Sequence, residues 1–188
     1  MKRILIAGDS FAADWTKKYN GIGWVNMLNN DYDVKNVAEA GVSEYKIYKQ
    51  LENEKTDEFD YIIISHTSPY RIPVEKHPIH YGDILHNNCD LIYSDLKSYE
   101  SNKLAKIAVD FYENLFYHEY YEFVNDLLIK NILTKYKESI NINFFDKCNY
   151  DNIHNMKTIY QKNKGLINHM NEKGNNMVYK KIKKIING

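Results

Sequence analysis

The four apolar residues Ile4-Leu5-Ile6-Ala7, stopped at once by Gly8-Asp9-Ser10, restrict this chain more than any other stretch. A short unbroken apolar run suits a strand buried on both faces, inside a parallel sheet covered by helices on each side. Gly8 lets the backbone turn sharply where that strand ends. Ser10 then falls at the carboxyl edge of the sheet, where open α/β folds take their ligands. A serine there is a candidate nucleophile, and it needs a base and donors for a developing oxyanion.

The rest of the chain continues the alternation. Trp24 and Leu28 read as a short helix, and Tyr32 to Val37 as a second strand ending in a turn centred on Gly41. Ser43 can cap a helix to about Glu54, and Phe59 to Ile64 form a third apolar run. Residues 65–97 are then a long loop that holds all three prolines and four of the seven histidines. Proline fixes φ and removes a donor, so this loop is stiff and irregular, and a long loop after a central strand is usually functional. Helical spacing returns over about 102–137, where Leu104, Ile107, Phe111 and Leu115, then Tyr120, Phe123 and Leu127, form an apolar stripe read as core. Ile140, Ile142 and Phe144 alternate as a fourth strand, and 146–164 reads as polar and irregular. Asn171 can cap a last helix with Val178, Ile182 and Ile186 inside and lysines outside. Strands alternating with helices predict a single three-layer α/β/α domain over 1–188 with a central parallel sheet.

Composition excludes several classes. The 188 residues carry zero formal net charge, which argues against a non-specific nucleic-acid binder. Two cysteines, Cys89 and Cys148, make no disulfide framework and no CxxC pair. The apolar run after Lys2-Arg3 is too short for a secretory leader, and no stretch is long enough for a membrane span, so a cytoplasmic location is expected. His77-Pro78-Ile79-His80, with His86, Cys89 and Asp90, invites a metal reading. The spacing is no metal signature and the prolines break any helical register, so these histidines are expected to pack or to line the pocket, with no metal and no cofactor. Asp9 reads as a structural carboxylate.

The turns after strands one, two and three share one rim, bringing together Ser10, Gly41 and His66-Thr67. Gly41 offers an unobstructed N–H, Thr67 a second donor, and His169, just before the last helix, a base. Gly8-Asp9-Ser10-Phe11 resembles the first block of the SGNH (GDSL-type) hydrolases. Asn36-Val37-Ala38-Glu39-Ala40-Gly41 resembles their second block and His169-Met170-Asn171-Glu172-Lys173-Gly174-Asn175 their closing block. The resemblance implies a flavodoxin-like SGNH-hydrolase fold. It also implies Ser10 as nucleophile, His169 as general base, and an oxyanion hole from the amides of Ser10 and Gly41.

Two departures stand out. The family's third block is usually G-x-N-D, whereas here Ser65-His66-Thr67-Ser68-Pro69-Tyr70-Arg71 follows the third strand, with Thr67 in the place of the asparagine. This resembles divergent members with a T-x-P-x-R third block. The family's Asp three residues before the histidine is Leu166 here, so a backbone carbonyl, or a distant acid such as Asp146 or Asp151, is left to orient His169. Arg71 suits bidentate recognition of a carboxylate or phosphate, and it joins His66 as an expected substrate-binding residue. The expected activity is hydrolysis of a small-molecule or glycan ester. Acyl transfer to a glycan and a non-catalytic binding module of the same fold are the alternatives.

Overall fold

The computed structural model describes residues 1–145 and 150–188. Five strands form one parallel sheet: β1 (Arg3–Gly8), β2 (Asp33–Asn36), β3 (Tyr61–His66), β4 (Ile140–Asn143) and β5 (Ile153–Asn155), in the order β2-β1-β3-β4-β5. Pairing is in register from Ile4 opposite Val34 and Tyr61 to Gly8 opposite Ser65. This is the flavodoxin-like order, whose switch point lies where β1 sits between β2 and β3.

The apolar run of β1 explains the layers, because successive side chains leave opposite faces of a strand. Ile4 and Ile6 point to one side and pack with Trp24 and Leu28 of α1 (Trp24–Leu28) and with Val178, Ile182 and Ile186 of α7 (Glu172–Asn187). Leu5 and Ala7 point to the other side, against Ile47 and Leu51 of α2 (Glu44–Glu52) and Ile132 of α5 (His118–Lys135). The architecture is therefore α/β with three layers, as the alternation of elements predicts.

Several local expectations are corrected. β3 runs two residues further than the apolar run, which carries His66 into the sheet. Ser43 stands at the N-cap of α2 but its hydroxyl caps nothing; its amide instead donates to Asp90 Oδ2 at 2.7 Å. The stretch after β4 contains a fifth strand, β5, and a short helix, α6 (Lys157–Lys162), before β6 (Lys164–Ile167). The long loop carries one short helix, α3 (Tyr93–Leu96). The helical segment is two helices, α4 (Lys103–Asn114) and α5, and its expected core stripe faces outward. Leu104, Ile107, Leu115, Tyr120, Phe123 and Leu127 are exposed, while Ala105, Val109, Ile129 and Ile132 are buried. No helix among the described residues is long and apolar enough to cross a membrane.

Candidate active site

Ser10 lies two residues past β1 in a turn built by Asp9. The Asp9 carbonyl accepts the amides of Ala12 and Ala13, and its carboxylate accepts the Phe11 amide at 3.0 Å and the Thr67 hydroxyl at 2.9 Å. Asp9 is wholly buried, and burial pushes its pKa up to about 6 against the opposing charge of Arg71. Two indoles pin the turn from outside: Trp15 Nε1 donates to the Ser10 carbonyl at 2.8 Å and Trp24 Nε1 to the Phe11 carbonyl at 2.7 Å.

His169 reaches Ser10 from the far end of the chain. Its Nε2 is 2.8 Å from Ser10 Oγ. The loop after β6 places Asn168 at φ 48° and His169 at φ 61°, a left-handed pair that non-glycine residues seldom adopt. Polar side chains hold it there. Asn168 Nδ2 donates to the carbonyls of Ala13 at 2.9 Å and Ser10 at 3.4 Å. Asn175 Nδ2 donates to the Ile167 carbonyl at 2.9 Å, and its Oδ1 accepts the Trp24 amide at 3.0 Å. The Asn168 clamp was not foreseen; its only signal in the sequence is an asparagine, the non-glycine residue most tolerant of φ > 0, directly before the candidate base.

The imidazole packs on Phe11 and Trp15, with ring centroids 4.6 Å and 5.4 Å away. Burial, with the charges of Arg71 and His86, lowers its pKa to about 4. It is therefore neutral at neutral pH and free to accept the serine proton. Among the described residues no carboxylate hydrogen-bonds to it. Leu166 occupies the position of the expected acid and is exposed, Asp151 is exposed and does not line the site, and Asp146 lies outside the described residues.

Gly41 follows β2 with φ 81°, and a Cβ built on it would lie 2.6 Å from the Cβ of Cys89. Only glycine fits both the conformation and the space. Among the described residues neither the Ser10 nor the Gly41 amide donates a hydrogen bond to the protein, so both remain open to an oxyanion.

Thr67 does not join them. Its hydroxyl donates to Asp9 and its amide donates to Glu44 Oε2 at 3.1 Å, so both of its donors are taken. His66 is also withdrawn from any substrate. Fully buried in the end of β3, it holds Glu44 Oε1 at 2.7 Å through Nδ1 and Asn141 Oδ1 at 3.0 Å through Nε2. Both ring nitrogens face oxygen atoms, an arrangement the imidazolium satisfies with two donated hydrogen bonds. Burial opposes that charge, but the Glu44 carboxylate outweighs it and holds the pKa above the ordinary range. Arg71 does reach the site, lining the cavity with Ser10, Gly41 and His169.

That cavity, about 450 Å³, is closed on its other side by the long loop: His80, His86, Cys89, Asp90, Ile92 and Asp95 face it. His77, His80 and Asp95 offer three ligand atoms within 4.8 Å of one another. The protonation pattern opposes a metal there. His77 Nδ1 accepts the amides of Ile79 and His80, each at 3.2 Å, so the ring's one proton in its neutral form is on Nε2, the atom that would have to coordinate. Asp95 Oδ2 is 2.9 Å from His80 Nε2 and 3.8 Å from His77 Nε2, and acts as the hub of a histidine array. Comparison of the chain with family models and with curated proteins finds no match.

Proposed function

We propose that the chain is a serine-dependent ester hydrolase of the SGNH (GDSL-type) kind, acting through an acyl-enzyme. The observation that carries this reading is the 2.8 Å contact between Ser10 Oγ and His169 Nε2 at the switch point of a parallel sheet, beside two unoccupied amides. In the proposed cycle His169 Nε2 takes the proton of Ser10 Oγ as the oxygen bonds to the ester carbonyl carbon. The amides of Ser10 and Gly41 receive the charge that develops on the carbonyl oxygen. Collapse expels the alcohol, protonated by His169. Water then repeats the sequence on the acyl-serine, giving its proton to His169 and releasing the acid and free Ser10. Among the described residues no carboxylate meets His169 Nδ1, so the proposed cycle runs on Ser10 and His169 as a dyad, and its expected rate is below that of a complete triad.

The departure at Leu166, where the resemblance implies an acid, favours a second reading, a non-catalytic module that binds an ester or glycan in this cavity. Labelling by a neutral fluorophosphonate separates the two. The hydrolase reading expects one label on Ser10, lost in both Ser10→Ala and His169→Ala. Folded wild type that takes no label overturns it and favours the binding module.

A further inference from the structure

Arg71 has no part in the steps above, yet the fold holds it at the site. Its side chain is only 8% exposed. Among the described residues Nε and Nη1 have no hydrogen-bond partner, and Nη2 stands 3.6 Å from Asp9 Oδ2, beyond hydrogen-bond range. A buried guanidinium with unsatisfied donors is costly, and its donor fork matches a carboxylate or a phosphate. The neighbouring acids are turned elsewhere. Asp9 accepts from Phe11 and Thr67, and Asp90 takes Lys46 Nζ at 2.6 Å and the amides of Ser43 and Val74.

The surroundings say what else the ligand carries. Arg71, Ile92 and Ser94 line both the catalytic cavity and a second cavity of about 590 Å³. Tyr70, Tyr93, Tyr112, Phe116 and His118 wall the second cavity. Among the described residues its one acidic lining residue, Glu113, is held by Lys97 at 2.9 Å and by the Tyr93 hydroxyl at 2.8 Å. Aromatic walls favour a flat or ring-shaped group. A molecule reaching across both cavities has its ester at Ser10, its charge at Arg71 and its ring among the tyrosines.

We propose that the substrate is an anionic ester, whose carboxylate or phosphate docks on Arg71 while its ring occupies the tyrosine-lined cavity; this rests on the serine-hydrolase reading above. The docked anion has a second effect. It offsets the Arg71 charge beside the imidazolium that forms when His169 takes the serine proton, so it acts on kcat as well as on KM.

The test compares α-acetoxyphenylacetate and α-acetoxybenzylphosphonate, whose ester, anion and phenyl ring branch from one carbon, with the neutral α-acetoxyphenylacetamide. Wild type is expected to favour an anionic ester in kcat/KM by about 10- to 100-fold, the range of one hydrogen bond to a charged group. Arg71→Gln brings the ratio close to one, and Arg71→Lys retains part of the preference, most of it in KM. Calorimetric titration of wild type with benzoate, phenyl phosphate and benzamide gives a readout that needs no variant to fold. Tighter binding of benzoate assigns the carboxylate, and tighter binding of phenyl phosphate assigns the phosphate. Equal binding of all three, with an ester ratio near one, overturns the proposal. Fluorophosphonate labelling is run in parallel. A labelled enzyme indifferent to charge overturns the anionic-ester proposal alone, whereas anion binding without labelling overturns the hydrolase reading and with it the ester.

Discussion

Replacing Gly41 by alanine tests the turn after β2, and its proposed oxyanion role, through stability first and chemistry second. Two costs add. At φ 81° an L-residue sits in the left-handed region, which costs about 1–2 kcal/mol. The new methyl also meets the Cβ of Cys89 at 2.6 Å and its Cα at 3.5 Å. Carbon atoms prefer about 3.5–4.0 Å, and overpacking a buried site costs about 1–3 kcal/mol. The sum is about 2–5 kcal/mol, a large part of the stability of a domain this size. Urea unfolding reads it as a fall in midpoint of roughly 1–2 M, using a slope near the upper end of about 1–3 kcal/mol/M. A double-mutant cycle separates the two costs. Cys89→Gly removes the overlapping Cβ and leaves the dihedral penalty, so Gly41→Ala is milder in the Cys89→Gly background by the overlap cost. A loss below about 0.5 kcal/mol for Gly41→Ala, or an absence of coupling to residue 89, refutes the geometry assigned to this turn.

Other expectations concern the base and its supports. The lowered pKa of His169 places the acid limb of Ser10 labelling near pH 4, with a plateau above; a limb near 6.5 refutes the buried environment described for the ring. The same shift links to folding: a histidine held low in the native state contributes stability above about pH 6.5 that is lost as pH falls toward 4, measurable by urea melts across that range. Asn168→Ala removes two hydrogen bonds from a left-handed loop. It is expected to cost about 1–3 kcal/mol in urea melts and to slow labelling at least as much as it lowers stability. Thr67→Val is expected to lower stability by about 1–2 kcal/mol, because Asp9 loses a buried donor, and to leave the labelling rate within a few-fold. A hundred-fold loss of rate in Thr67→Val would return Thr67 to the oxyanion hole.

The fold was legible where burial imposes a strict pattern. The apolar run of β1 is inside on both faces, and Val178, Ile182 and Ile186 keep helical spacing along α7. Ser10 and His169 were legible as candidates because each falls at a chain reversal beside a regular element. Residues decided by the path of the chain were less so. His66 read as a turn residue because the apolar run stops at Ile64, but hydrogen bonding carries β3 past it, and Glu44 from another helix supplies the counter-charge. Periodicity assigned a face to α4 and α5 but not its direction; small Ala105 and Val109 turn inward while the larger Leu104 and Ile107 turn outward. The proline-rich loop has no period, so that His80, His86 and Asp95 meet at the cavity followed from no spacing rule.

Ser10 and His169 are 159 residues apart in sequence, one in the turn after β1 and the other just before α7. Closing the loop that joins them costs conformational entropy, and Asn168 and Asn175 make the ties that hold it closed. On the proposed reading, labelling of Ser10 therefore reports that these two distant stretches have come together.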